Sequence, residues 1–392
     1  MALRIGDAVE RGFVDNRQKG RVVGKLWLRG RARPLQLDLT GNAHPDLAGR
    51  RVHFRRSSPA IAMTGLEQLP DVQRGHAGDL TARREVQVPA LPLEALLRWP
   101  EPVDPAPSRP AHCLYLEWFS PDTGRVVVQL VDFVLRRSRA VWQPSQEDEF
   151  ERVQQVEAAW QRYLAQWDTL IEFLDGTVKD PEEKWDEYDY ERFLQVCEAR
   201  GEKYSDLLEK YGDSPEAEAR IALAMGWEED PSASGPPEDL SDAEEDEPLP
   251  QPDPSREGKD WIRTPEGDIL HPLEQRWMEL GRRVERALQA QLGHDGFLRQ
   301  PEVLALLVQF RLTSGRLSGA LRGVALGEPG LEAGLVVACL KRALHSLHDT
   351  HRFFRHSVAL AAFPTASAKR LERELFEIRE VILRLMQEYR QR

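Results

Sequence analysis

Cysteine is nearly absent from this chain: Cys113, Cys197 and Cys339 are the only three in 392 residues. They lie far apart, and one is left over after any pairing. That excludes a disulfide framework and a CxxC-type metal site. Long apolar runs are missing as well. None approaches the roughly 18 residues that a membrane-spanning helix needs, and the opening MALRIGDAVERGF holds no apolar signal core. The expectation is a cytoplasmic protein that does not engage a membrane. Arginine outnumbers lysine, which points to a GC-rich bacterial genome. No Gly-x-Ser-x-Gly, His-Glu-x-x-His or Walker pattern occurs. No cofactor is therefore expected.

Charge is present in plenty, but it is segregated. The net charge of −12 hides three regions. Residues 1–143 carry 22 basic and 15 acidic side chains, a balance of +7. Residues 144–268 carry 12 and 37, giving −25, and residues 269–392 carry 19 and 13, giving +6. A positive, very negative, positive sequence of segments invites internal electrostatic docking, or partners of opposite sign at each segment.

The first 143 residues read as β structure. GRVVGKLWLRG (20–30) is rich in Val, Leu and Trp between glycines, and Leu35, Leu37 and Leu39 alternate with polar residues, the period of a half-buried strand. A short strand is predicted around Val52 and Phe54, another over 80–88, and a short helix over 91–99. CLYLEWF (113–119), the turn SPDTG and RVVVQLVDFVL (125–135) predict a hairpin. Several short antiparallel strands in this length suggest a β barrel or sandwich.

The period then changes. Phe150, Val153, Val156, Trp160, Leu164, Trp167, Ile171 and Leu174 recur at spacings of three and four, predicting a long amphipathic helix opened by Ser145 and Asp148. Further helices are predicted from Glu187 to Tyr211 and from Pro215, with Ser214 as N-cap. Residues 228–258 combine acid and proline with almost no apolar content, a composition that predicts a disordered linker. Helices over 272–293, 301–325, about 331–360 and 366–390, separated by breaker residues, predict a four-helix bundle. The whole is an α+β multidomain chain: a basic β-rich domain (1–143), an acidic helical region (144–227), the linker (228–258) and the bundle (259–392).

Four features could carry chemistry. In HSLHDTHRFFRH (345–356), His345 and Asp349 lie one helical turn apart, a spacing that suits zinc or iron. His345, His348, Asp349 and His351 are thus the metal-ligand candidates. Only His351 falls on the expected core stripe of Leu340, Leu344, Leu347, Phe354 and Val358. Gly315, Gly319 and Gly323 make a small-residue face suited to close packing on a neighbouring helix. Arginines crowd the β-rich region, among them Arg51, Arg55, Arg56, Arg136 and Arg137, interspersed with Trp27, Phe54 and Trp118. An arginine face with exposed aromatics could bind single-stranded nucleic acid. Finally, Trp185, Tyr188 and Tyr190 among acids in KWDEYDYERF could dock a protein. The leading expectation is a non-enzymatic interaction or scaffold protein for an unnamed protein partner. Behind it stand a nucleic-acid-binding accessory protein acting through the arginine-rich β domain, and a metal-dependent enzyme using the tail histidines.

Overall fold

Alternation of apolar and polar residues places one side of each early strand in a core. The computed structural model describes residues 2–61, 63, 65–89, 108–180, 184–227, 252–265, 267–293 and 300–392. The chain is α+β, with one large mixed sheet and seven α-helices among the described residues. It divides into two compact units, Met1–Thr169 with His294–Ala305, and Leu170–Gly293 with Leu306–Arg392.

The first unit holds β1 (Leu3–Arg4), β2 (Val9–Asp15), β3 (Arg21–Leu28), β4 (Leu35–Thr40), β5 (Arg51–Arg56), β6 (Val72–Pro89), β7 (Ser108–Ser120), β8 (Gly124–Leu130) and β9 (Phe133–Arg137). All nine belong to one sheet in the order β1-β8-β7-β6-β4-β3-β2-β5-β9. The expected antiparallel barrel is corrected here. The sheet is mixed, because β1 runs parallel to β8 and β4 parallel to β6, and it is not closed. Alternation in a sequence says which residues face inward, but not which strand lies alongside or in which direction. The predicted 125–135 strand is also two strands. It breaks after Leu130, and β9 leaves to pair with β5.

Inward-facing residues from both ends of the order, including Val14, Leu26, Leu37, Val52, Leu116, Trp118 and Val128, form one buried cluster. The outward face is partly covered. Helix α1 (Gln146–Asp175) opens with a reciprocal cap: the Asp148 amide donates to Ser145 Oγ at 3.1 Å, and the Ser145 amide to Asp148 Oδ2 at 3.0 Å. Its Trp160 and Tyr163 rings lie 5.5 and 6.0 Å from Phe119.

Beneath Trp160 is an ion pair withdrawn from water. Arg125 Nε donates to Glu117 Oε1 at 2.7 Å, with side chains 1% and 3% exposed. Arg125 Nη2 donates to the Tyr115 hydroxyl at 2.9 Å, and its guanidinium lies 4.5 Å from the Trp160 ring centre. Glu117 Oε2 accepts the Asp79 amide at 3.1 Å. Burial pushes the Glu117 carboxyl above its usual range, and the guanidinium opposes that push. Gly75, at a φ of +141°, brings β6 close to β7: a Cβ there would sit 1.9 Å from the Phe119 carbonyl oxygen, so only glycine fits.

The second unit contains α2 (Glu187–Tyr211), α3 (Pro215–Met225), the ribbon β10 (Ile262–Arg263) and β11 (Ile269–Leu270), α4 (Pro272–Leu292), α5 (Pro301–Leu326, in this unit from Leu306), α6 (Ala333–Ala359) and α7 (Thr365–Arg390). Asp186 caps α2 in a full capping box, and Ser214 caps α3. Trp277 stacks on Phe310 at 4.8 Å and donates to its carbonyl. The buried stripe of α6 is turned from the expected one, running through Leu340, Ala343, Leu347, Thr350, Phe354 and Ser357. Hydroxyls cause the turn. Thr313 Oγ1 lies 2.8 Å from both Ser346 Oγ and Thr350 Oγ1, and Thr350 also donates to the Ser346 carbonyl, so this polar cluster is satisfied inside the core. The glycine face does not pack as expected: a Cβ at Gly315 or Gly319 would meet nothing within 4 Å among the described residues.

The acidic α2 docks on the basic tail helices. Glu187 pairs with Lys341 and Arg390, each at 2.7 Å, and Glu191 pairs with Arg342 at 2.9 Å. The predicted 91–99 helix lies outside the described residues, as does the linker through residue 251. The described end of that linker contains a short 3-10 turn, Pro254–Arg256.

Two outcomes follow from these contacts. Glu117→Ala leaves Arg125 buried without its carboxylate and should cost about 3–5 kcal/mol, read as faster hydrogen exchange in β7 and β8. A Glu117→Leu/Arg125→Met double variant should exchange more slowly than the single one; equal exchange would refute charge coupling. The basic groups around Glu187 hold its carboxyl at about 2, below the ordinary 4.5, with the Arg390 hydrogen bond the largest cause. A depressed carboxylate stabilises the fold above pH 4.5, and that contribution is lost as pH falls toward 2. Glu187→Gln should flatten melting temperature against pH in this window; an unchanged slope would count against the assignment.

Candidate functional site

Strand registers assemble the outward face of β3, β2, β5 and β9 into rows. Trp27 pairs with Arg11, Arg11 with Arg55, and Arg55 with Val134. One step along, Lys25 pairs with Phe13, Phe13 with His53, and His53 with Arg136. The next row brings Asp15 against Arg51. The intervening residues Val14, Leu26, Val52 and Phe54 face the core, so period-2 geometry alone forces this set to the other side.

The side chains interlock. The Arg11 guanidinium lies 4.6 Å from the Trp27 ring centre, and that of Arg51 lies 4.3 Å from Phe13. Phe13 and His53 rings are 5.6 Å apart. Among the described residues no acid pairs with Arg11, Lys25, Arg55 or Arg136. Asp15, the acid in these rows, is already paired with Arg17 at 2.7 Å, which holds its carboxyl below the usual range. A cavity of about 530 Å3 opens here, lined by Arg11, Phe13, Trp27, Arg51, His53, Arg55 and Arg136. The face thus offers several uncompensated cations beside aromatic planes, a chemistry suited to phosphate and flat heterocycles.

Of the residues that the sequence pattern singles out, Arg51, Arg55, Arg136 and Trp27 meet on this face. Arg56 does not: its Nη1 donates to the Gly6 and Asp7 carbonyls at 3.2 and 2.8 Å, fastening a loop. Phe54 and Trp118 face the core. Sequence reasoning misses Arg11, Lys25, Phe13 and His53, although each alternates with buried residues in its strand.

The other candidates disperse. Trp185 lies 5.2 Å from Tyr190 and 5.4 Å from Phe193, with its indole N–H given to the Asp180 carbonyl at 3.0 Å. Tyr188 sits beneath Lys341 Nζ at 3.9 Å. These rings help to seat α2. His345 faces Asp349 at 3.8 Å, His351 meets Glu372 at 3.0 Å, and Arg379 approaches His348 at 3.4 Å. Each histidine has a different neighbour, and no group of three or more metal-ligating side chains is assembled among the described residues. Burial first, then Arg379, lowers the pKa of His348. No helix among the described residues is long and apolar enough to cross a membrane. Comparison with protein-family models, with curated proteins and with solved structures finds no match.

Proposed function

We propose that the chain is a non-enzymatic binding protein of the bacterial cytoplasm whose first unit takes single-stranded nucleic acid on the open sheet face. The observation that carries this reading is the row arrangement itself: Arg11 over Trp27 and Arg51 over Phe13, beside Arg55, His53 and Arg136. Cations that hold no acid release condensed counterions when they meet phosphates, which favours binding without dependence on sequence. Stacking needs bases free of pairing, and the open sheet can offer its rings only to a strand whose bases are splayed out. The nucleic-acid expectation thereby moves ahead of a protein partner, since Trp185 and Tyr190 pack on each other within the second unit and Tyr188, though 60% exposed, lies against Lys341. The finer organisation proposed comprises a β domain at 1–143, acidic helices at 144–227, a linker at 228–258 and a four-helix bundle at 259–392. Of these helices, α2 then serves to neutralise the bundle.

Fluorescence anisotropy with labelled single-stranded oligonucleotides tests the reading at about 50 and about 200 mM salt. Affinity should fall with salt, with a slope of about 0.7 for each phosphate contacted. The triple variant Arg11→Glu/Arg55→Glu/Arg136→Glu should lose at least about tenfold and show a shallower slope, and Trp27→Ala should cost about 1–3 kcal/mol of stacking. No binding at the lower salt, or a triple variant that binds as the parent does, would exclude this function.

A further inference from the structure

The same outward face carries a second concavity. Where α1 crosses the sheet, a cavity of about 320 Å3 is lined by Thr40, His76, Phe119, Tyr163, Arg162 and Gln166, with backbone of Gly75 and Gly124 among its walls. Register places Thr40 beside His76 and His76 beside Phe119. Between the two concavities, Arg21 of β3 and Asp38 of β4 are paired with each other at 2.8 Å.

We infer that this cavity binds a nucleoside monophosphate, either free or as the terminal nucleotide of a strand. Three features define the ligand. Arg162 is an exposed cation that pairs with no acid among the described residues, so it calls for an anionic group. Phe119 and Tyr163 supply an aromatic wall, so it calls for a flat body. His76 supplies directionality. Thr40 Oγ1 lies 3.1 Å from both the Gly75 carbonyl oxygen and His76 Nδ1. The ring thus faces Thr40 through Nδ1, and its tautomer sets which nitrogen donates. Burial and nearby Arg162 favour the neutral ring. The ligand therefore carries a planar ring that can hydrogen-bond to an imidazole together with a negative charge, a combination present in a nucleobase and its phosphate. The cavity is in the size range of small-ligand sites.

Isothermal titration of the full chain with the four ribonucleoside monophosphates tests this. At least one should bind with a dissociation constant of roughly 10 μM to 1 mM, and its nucleoside and inorganic phosphate should each bind at least about tenfold more weakly. Arg162→Gln changes an exposed side chain and should keep the fold while weakening the monophosphate at least about tenfold; His76→Leu should weaken it too. The Arg11→Glu/Arg55→Glu/Arg136→Glu variant should bind the monophosphate as the parent does, which separates this site from the arginine face. A pentanucleotide with a 5′ phosphate that binds this triple variant more tightly than the free monophosphate assigns the ligand as a strand end; weaker binding assigns it as the free nucleotide. No monophosphate binding up to about 1 mM, or binding untouched by Arg162→Gln, overturns the inference.

Discussion

The Glu117–Arg125 pair marks the region of the large sheet that α1 covers. It lies on the outward face, under the Trp160 indole of α1, with the Tyr115 hydroxyl and the Asp79 amide as further hydrogen-bond partners. A buried pair of this kind contributes little net stability against an apolar replacement, but it is costly to leave half-made. Trp160 of α1 lies over it and shields it from water. The outward sides of β6, β7 and β8 are partly covered there, while those of β3, β2, β5 and β9 keep their arginines, lysine and rings facing outward.

Both proposed sites derive from that division. The arginine face is the uncovered remainder of the sheet, and the smaller cavity is the seam where covering begins. Their chemistries are related without being identical. On the open face, Arg11 and Arg51 lie over aromatic rings, so cation and plane are presented together to an extended polyanion. At the seam, a single cation, an aromatic wall and a histidine held beside Thr40 describe a compact ligand.

In the second unit, opposite charges act within one folded body. The acids of α2 meet Lys341, Arg342 and Arg390. The charge segregation legible along the chain therefore serves, in this unit, to join an acidic helix to basic ones. The aromatic residues interspersed with those acids, Trp185 and Tyr190 above all, belong to the same attachment.

Local physics made much of this readable from the chain alone. The alternation in 20–40 marks β3 and β4, the three-and-four spacing from Phe150 marks α1, and Ser145 and Ser214 start their helices because short polar side chains satisfy free amides at a helix N-terminus. These properties depend on neighbours a few residues apart. The parallel pairing of β4 with β6, the departure of β9 to β5, and the rotation of the α6 stripe around Thr313, Ser346 and Thr350 depend on residues distant in sequence. So does the candidate face. Arg11, Lys25, Arg55 and Arg136 each stand in a separate strand, in positions that alternation alone places on one side or the other of a sheet. The sequence determined that each would be turned away from a core; only the hydrogen-bonded register of four strands, and a helix that stops short of them, decided that they would share one open surface.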